Sequence, residues 1–247
     1  MTDMFRNLIR IEVARCFPPQ CKGRHRKLQF DDALDCIFLL VRTGMQWREV
    51  RPSTASHITV FKTMHAWMQK SVFETAYKRL IHLYERKRKS RYYCIDSTYV
   101  KNVYGRDCTG RNPTDRGRKA TKLSAIVDDI GIPHALRCDP GNTSDMKLFG
   151  STLNHMMTKI RNIEMFADKG YDSKTNRNIC RRAGLSDRIF KRKATCGKRT
   201  HAKRNVVERF FSWMDKQRRL LLRYEQKVFV YMEMTFIACG RLLVNKI

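Results

Sequence analysis

The spacing of apolar positions changes near residue 90 of this 247-residue chain. Before that point, apolar residues recur at the spacing of α-helices. We predict one helix over residues 28–41 with Gly44 as its stop, one beginning near Ser56, and one over residues 72–84. The first ninety residues are therefore predicted to be all helical.

From Arg91 onward, short runs rich in β-branched and aromatic residues alternate with helical patterns. A loop over residues 104–122, rich in glycine and arginine, separates the first two strands. The predicted strands cover residues 92–100, 123–127, 132–138, 163–167 and 187–191, and the predicted helices cover 145–160, capped by Ser144, and 173–182. A hairpin followed by helical crossovers predicts an α/β fold with a mixed sheet.

Charge suggests where the chain divides. Residues 86–91 (RKRKSR) interrupt the apolar period, so we predict a helical region over 1–85, a basic linker over 86–91 and a second domain over 92–247. Short helices joined by turns and carrying cations such as Arg48 and Lys62 suit a helix-turn-helix-like DNA-binding region. The alternative is a plain helical bundle with a solvated basic face.

The overall charge points to a polyanionic partner. Lys and Arg number 51 against 23 Asp and Glu, which gives a net charge of +28 and favours nucleic acid through counterion release. No run reaches the length of a membrane span, and we expect an intracellular protein without a membrane partner. The nine cysteines include no CxxC pair, so we expect reduced thiols; Cys16 and Cys21 are only a weak indication of a metal site.

Three acids lie beside segments that we predict to be buried. Asp96 and Asp168 each end a predicted strand, and Glu208 lies in a helical run, next to its apolar face but not within it. Carboxylates that converge from two strand ends and one helix are able to hold two Mg²⁺ ions for phosphodiester chemistry. Glu208 equally fits an ordinary surface residue. Other acids fit structural roles in turns and at helix starts, namely Asp128, Asp129, Asp145 and Asp172.

Several motifs along nearly the whole chain carry a family resemblance. They are GMQWREV at 44–50, TVFK at 59–62, IDST at 95–98, TKL at 121–123, PGNTSD at 140–145, ADKGYD at 167–172 and VER at 207–209. With these motifs the chain resembles the DDE transposases of bacterial insertion sequences, in particular the IS4/IS5-like group. The resemblance implies an RNase H-like catalytic domain after a small all-helical DNA-binding region.

By this resemblance Asp96, Asp168 and Glu208 are the catalytic and metal-binding triad, with two Mg²⁺ ions for which Mn²⁺ is able to substitute. The family's signature around the glutamate has a Tyr, an Arg and a Lys. Arg204 matches the Arg, His201 stands in place of the Tyr, and Asp215 stands in place of the Lys, with Lys216 following. The residues expected to contact DNA are Arg48, Lys62, Arg106, Arg111, Arg116, Arg118, Lys119, Lys122, Arg204, Arg209 and Lys216. Lys122 fits a phosphate contact and an edge charge equally well.

The implied function is a transposase that binds terminal inverted repeats, cleaves the donor strand and joins it to target DNA. Two transposon ends must be handled together, so we expect a homodimer or a larger synaptic complex on double-stranded DNA. If the host is bacterial, the protein would act in the cytoplasm or nucleoid. The alternatives are a catalytically silent DNA-binding regulator derived from a transposase and a host nuclease of the same fold.

Overall fold

A computed structural model describes residues 3–18, 27–191 and 198–246, with backbone alone at 198–202. Cys21 and the side chain of His201 lie outside the described part of the chain. The helices are α1 (Asp3–Cys16), α2 (Phe30–Thr43), α3 (His57–Gln69), α4 (Val72–Lys87), α5 (Asp145–Leu153), α6 (Lys174–Arg182), α7 (Lys198–Met214) and α8 (Val228–Val244). The strands are β1 (Tyr92–Asn102), β2 (Gly110–Arg111), β3 (Lys119–Asp128), β4 (Pro133–Pro140), β5 (Glu164–Ala167), β6 (Ser186–Ile189) and β7 (Leu222–Arg223).

The predicted N-terminal helices are confirmed, and their end signals act as expected. Gly44 ends α2 in the left-handed conformation, with φ of 69°, and its N–H donates to the Leu40 carbonyl. The Ser56 hydroxyl accepts from the N–H of Thr59 and so caps α3. Helix α4 continues three residues beyond the predicted end at Tyr84.

The mixed sheet predicted from the sequence is also confirmed. Its main order is β2-β3-β1-β5-β6, while β4 pairs with β3 and β7 pairs with β1. Strand β3 pairs antiparallel with β1 on one side and with β4. Strands β5 and β7 run parallel to β1, and β6 runs parallel to β5. The hairpin therefore supplies the antiparallel half of the sheet and the crossovers supply the parallel half.

Each face of the sheet is covered by helices, as alternation of side chains along the strands requires. On β1, Cys94 packs with α7, α8 and the N-terminal helices, while Tyr93 and Ile95 pack in the opposite layer with α5 and α6. On β5, Phe166 belongs to the first layer and Ala167 to the second. This alternation decides which side chains meet α7.

Helix α8 was not predicted. Its buried residues cover nearly its whole length, including Tyr231, Ile237 and Cys239, so it lacks the polar face that gives a surface helix its period. The Glu233 carboxylate on α8 accepts from the N–H groups of Phe73 and Glu74 at the start of α4, at 3.0 and 3.3 Å. Thus the last helix of the chain packs within the N-terminal helical layer.

Helix α1 also packs on α8. A side chain at Gly240 would overlap the ring of Phe5, which explains why glycine occupies the middle of this helix. The N-terminal helices, α8 and one face of the sheet share a single apolar cluster. The division into regions 1–85, 86–91 and 92–247 remains a prediction, and any such regions are joined by this core.

Three other sequence predictions require correction. The helix predicted over 145–160 ends at Leu153, where turns begin. The helix bearing Glu208 ends at Met214, so Leu220 and Leu221 are not on its apolar face. The loop over 104–122 contains β2 and the first residues of β3, which begins at Lys119. Two-residue strands such as β2 carry too few positions for a period to be detected.

The turn acids have the structural role expected of them, with one exception. One Asp128 oxygen accepts from the N–H groups of Ile130 and Ile132 in the β3–β4 turn, at 3.1 and 2.8 Å. Ser173, and not Asp172, caps α6, because the Ser173 hydroxyl accepts from the N–H of Asn176. Among the described residues no helix is long and apolar enough to cross a membrane.

Candidate active site

Asp96 and Asp168 lie side by side on two neighbouring parallel strands, Asp96 within β1, which continues to Asn102, and Asp168 directly after the last residue of β5. Ile95 on β1 pairs with Ala167 on β5, so the next residue of each strand is one of these acids. By alternation, both side chains extend toward the layer that contains α7. The prediction that each acid ends a strand is therefore right for Asp168 and wrong for Asp96, and the parallel pairing of β1 with β5 brings the two acids together.

Arg204 on α7 connects the two carboxylates. Its guanidinium lies 3.7 Å from Asp96 Oδ2 and 3.3 Å from Asp168 Oδ1. Only 10% of the Arg204 side chain is exposed, against 25% for Asp96 and 40% for Asp168. Buried α7 residues such as Val207 and Phe210 hold the helix against the sheet, and the Lys203 ammonium adds a 3.0 Å ion pair to Glu164 on β5.

Each aspartate also accepts a hydrogen bond from the backbone N–H that follows it. Ser97 N donates to Asp96 Oδ1 at 2.8 Å, and Lys169 N donates to Asp168 Oδ1 at 2.6 Å. These bonds fix the carboxylates at the sheet edge and leave each of them oxygen lone pairs for a further ligand.

Burial raises the pKa of Asp96 to about 6. The Ser97 N–H and the Arg204 guanidinium lower that pKa, while the nearby charges of Asp168 and Asp145 raise it further. Concentrated negative charge that is only partly compensated is typical of a site that binds a cation or moves a proton.

A third acid near this edge, Asp145, lies on the other side of the sheet. Its Oδ1 accepts from the Ser97 hydroxyl at 2.9 Å and from the Lys122 ammonium at 2.6 Å. Lys122 also donates to the Thr143 carbonyl at 3.2 Å and lies over the Tyr99 ring. From the sequence we predicted only a helix-start role for Asp145. Its contact with Ser97 was not predicted, although Asp145 belongs to the PGNTSD motif and Ser97 to the IDST motif.

Glu208 lies one helical turn after Arg204 on α7, and its side chain is exposed. Within residues 3–18, 27–191 and 198–246, no three acid, histidine or cysteine side chains lie close enough together to form a metal site. The structure thus brings Asp96 and Asp168 together, with Glu208 nearby along α7 but outside that cluster.

The residues expected to contact DNA fall into two groups. Lys122 and Arg204 are buried in ion pairs with acids, so their charges are already compensated within the protein. The side chains of the other nine are exposed: Arg48, Lys62, Arg106, Arg111, Arg116, Arg118, Lys119, Arg209 and Lys216.

The loop that carries five of these exposed cations is anchored at its base. Arg223 is fully buried and donates to the Asp107 carbonyl at 2.7 Å, to the Thr121 hydroxyl at 2.7 Å, and to the Asp107 carboxylate. At the far end of the loop, Asn112 Oδ1 accepts from Thr114 N at 3.0 Å. The basic loop, residues 103–119, is thus a defined projection beyond the end of β1.

The donor atoms of Asp96 and Asp168 suit a hard divalent cation. Asp96 and Asp168 provide carboxylate oxygens from adjacent parallel strands, the ligand type that Mg²⁺ and Mn²⁺ prefer. Both carboxylates already converge on one cationic group, the Arg204 guanidinium. The acid edge, as we call Asp96, Asp168 and Arg204, is therefore suited to a metal-dependent reaction on an anionic substrate.

Comparison with known proteins identifies the family. The Transposase DDE domain family matches residues 87–243, which is most of the chain and includes Asp96, Asp168 and Glu208. The chain belongs to the DDE transposases. It is accordingly an enzyme of a family that depends on divalent metal ions.

Two curated transposases are similar in sequence. The transposase of insertion sequence element IS402 from Burkholderia cepacia is 30% identical over 145 residues, which cover 55% of this chain and 68% of that protein. The transposase of insertion sequence element IS6501 from Brucella ovis is 27% identical over 127 residues, which cover 49% of this chain and 95% of that protein. The expected membership among insertion-sequence transposases is confirmed.

A solved structure is similar in fold. The piggyBac transposase, determined by cryo-EM as a synaptic complex with hairpin DNA, aligns with a TM-score of 0.50 over all of this chain and 74% of that one. Sequence identity is 9%, so the alignment concerns the fold alone. It confirms the predicted RNase H-like arrangement.

Proposed function

We propose that this DDE transposase binds the terminal inverted repeats of its element, cleaves the DNA strand there and joins it to target DNA, using Mg²⁺ or Mn²⁺. The observation that carries the proposal is the acid edge, where Asp96 within β1 and Asp168 at the end of β5 lie on adjacent parallel strands and share the Arg204 guanidinium. In a protein with a net charge of +28, acids gathered in this way favour a metal-dependent role over a structural one.

In this proposal Asp96, Asp168 and Glu208 are the catalytic acids that hold the metal ions. Bound metal ions would supply activation of a water or DNA 3′-hydroxyl and stabilisation of the leaving oxygen. The protein contributes the position of the carboxylates, which their N–H donors and Arg204 hold at the sheet edge. Glu208, whose side chain is exposed one turn beyond Arg204 on α7, would complete this set of acids when metal and DNA are bound.

The exposed cations supply the DNA contacts. We propose that the basic loop and Arg209 lie along phosphates next to the acid edge, and that Arg48 and Lys62 serve the helical region in binding the repeat. Each phosphate that a cation neutralises releases counterions and so adds affinity without sequence preference. Because two ends must be joined to one target, the active form is a homodimer or a larger synaptic complex.

The test is metal-dependent cleavage of a duplex that carries the element's terminal repeat. Asp96→Asn, Asp168→Asn and Glu208→Gln should each lower the cleavage rate by at least about a hundredfold, since each removes a carboxylate charge that holds metal. Binding of the uncleaved duplex should stay within about twofold, because phosphate contacts dominate affinity.

Asp172→Asn is the matched control. It lies four residues after Asp168 and pairs instead with Arg177 at 2.8 Å, so it should cleave at the normal rate. Normal cleavage by any of the three acid variants would remove that residue from the proposed triad. Cleavage without preference for repeat ends would indicate a host nuclease, and binding without cleavage by the unaltered chain would indicate a regulator.

A further inference from the structure

A second site lies between the helical layer and the segment that follows β7. It is a cavity of about 400 Å³ lined by aromatic rings from both sides: Trp47, Phe61 and His65 from the helical layer, and Tyr224 from the other. A cavity of this volume is in the range that holds a small planar ligand.

The aromatic rings that line the cavity contact one another and are partly exposed. Trp47 meets Phe61 edge to face, with centroids 5.0 Å apart, and Phe61 lies 4.4 Å from the His65 ring. Phe61 is 37% exposed and Tyr224 is 38% exposed, which is unusual for large apolar side chains around one cavity. Burial lowers the pKa of His65, so its imidazole is a neutral ring at pH 7.

A buried acid in the same cavity lacks a partner for one of its oxygens. Glu225 lines the cavity, and only 4% of its side chain is exposed. Its Oε1 accepts from Arg219 Nε at 2.8 Å, whereas its Oε2 has no hydrogen-bond partner among the described residues. A buried carboxylate oxygen without a donor is costly, so this position calls for a ligand that donates.

Cations complete the cavity's lining. Arg219 lies over the Tyr224 ring at 5.3 Å, and Lys227 lines the same cavity. A ligand that brings a planar ring, an N–H donor and an attached negative charge would match the stacking surfaces, Glu225 and these cations together. A nucleotide with an amino-bearing base has all three features.

The cavity's place on the sheet agrees with this assignment. Strand β7 pairs with the end of β1, at Lys101 and Asn102, which are five and six residues beyond Asp96. Six residues of extended strand span about 20 Å. A DNA strand whose phosphate lies at the acid edge would therefore reach the cavity within roughly six nucleotides, at 3.4 Å each.

We propose that this cavity receives one unstacked nucleobase that carries an exocyclic amino group, stacked beside Trp47 and Tyr224 and donating to Glu225 Oε2. The inference rests on the proposed function, because it assigns a base-reading site to the same DNA. Adenine, cytosine and guanine carry such an amino group. Thymine offers only its N3–H, which is flanked by two carbonyl oxygens that a carboxylate repels, so the cavity discriminates against thymine.

The test compares single-stranded oligodeoxycytidine, oligothymidine and an abasic oligomer of equal length by fluorescence anisotropy at fixed salt. The unaltered protein should bind oligodeoxycytidine roughly tenfold more tightly than oligothymidine, the effect of one charge-assisted hydrogen bond. It should bind oligothymidine roughly tenfold more tightly than the abasic oligomer, the effect of one base–aromatic stack.

Variants assign the two effects to the cavity. Glu225→Leu, which leaves no acceptor at this position, should bring oligodeoxycytidine down to the affinity of oligothymidine, whereas Trp47→Ala should bring both down to that of the abasic oligomer. Trp47→Phe keeps a ring and should restore most of the stacking, which guards against loss of the fold. Phe229→Ala is the matched control, because Phe229 is also 38% exposed but does not line this cavity.

Equal affinity for the three oligomers, or variants that leave the differences unchanged, would overturn the inference while leaving the proposed function intact, provided that duplex DNA still binds. If neither duplex nor single-stranded DNA binds, the proposed function fails and the inference fails with it.

Discussion

Two acidic sites on the central strands differ in how completely their carboxylates are satisfied. At the β3–β4 turn, Asp128 accepts from two backbone N–H groups and from the Tyr84 hydroxyl at 2.6 Å, and Arg88 and His134 lie within 3.6 Å. At the acid edge, Asp96 accepts one N–H and shares one guanidinium with Asp168. The first acid is saturated with donors, and the second is not.

The pKa values of the two residues reflect this difference. Burial raises the pKa of each, but at Asp128 the His134 and Tyr84 side chains outweigh burial and the pKa lies below its usual value. At Asp96 burial prevails, and the pKa rises to about 6. An acid whose neighbours stabilise its charge supports the fold, whereas one whose charge is under-compensated is available for chemistry.

The largest expected effect concerns which end of the sheet lies along DNA. Replacing Arg106, Arg111, Arg116, Arg118 and Lys119 together by Gln should reduce the salt dependence of DNA affinity. The slope of log K against log salt should fall by about 0.9 for each of these cations that contacts a phosphate, or about 4.5 if all five do. Titrations at several salt concentrations measure this slope.

The matched control neutralises exposed cations near the other acidic site, at the Asp128 end: Arg86, Lys87, Lys89, Lys159 and Arg161. The same net charge is removed there, but the slope should change little. An equal reduction of the salt slope in the loop variant and in the control variant would show that the basic loop contributes only overall charge. The proposed position of DNA at the acid edge would then be wrong.

A smaller effect is expected on stability at the saturated site. Asp128→Asn should lower the free energy of unfolding by about 3 kcal/mol, since Arg88 and His134 would lose a buried anionic partner. Urea unfolding at pH 7 measures the change. A loss below about 1 kcal/mol would mean that the dense hydrogen bonding around Asp128 contributes little to the fold.

The smallest effect has the opposite sign. Asp96→Asn should raise the free energy of unfolding by about 1–2 kcal/mol at pH 7, since the folded state no longer holds an under-compensated charge. The pKa of Asp96 is raised in the folded protein. The contribution of Asp96 to the free energy of unfolding is therefore fully present below pH 4 and is lost as pH rises through about 6. The gain should therefore vanish near pH 4, and a destabilised Asp96→Asn protein at pH 7 would contradict it.

The sequence predicted the acid edge better than it predicted the surroundings. Asp168 directly follows β5, and β5 pairs in parallel with residues 92–95 of β1, just before Asp96. The local strand pattern therefore brought the two acids together, although β1 continues beyond Asp96 to Asn102. The burial of Arg204 depends on how α7 packs across the sheet, and the contact between Lys122 and Asp145 depends on where α5 begins relative to β3. Neither arrangement leaves a periodic signal.

The helical layer shows the same limit. Helices α2, α3 and α4 each have one apolar face, so their positions followed from the apolar period. Gly44 and Ser56 also marked the end of α2 and the start of α3, whereas α4 lacks a capping side chain and extends beyond its predicted end. Helix α8 is buried on nearly all sides and gave no period to detect. The aromatic cavity was likewise not predicted, because Trp47 and Tyr224 come together only when α8 packs against the helices before β1.

The central claim is that Asp96 and Asp168 hold metal whereas Asp128 does not. The most direct test is to measure Mn²⁺ binding by electron paramagnetic resonance. We predict that the unaltered protein and Asp128→Asn, measured below its melting temperature, bind Mn²⁺ with similar affinity. We predict that Asp96→Asn and Asp168→Asn bind it at least about tenfold more weakly, because each loses a charged oxygen ligand. Equal binding by all four proteins would contradict the account and place the metal elsewhere.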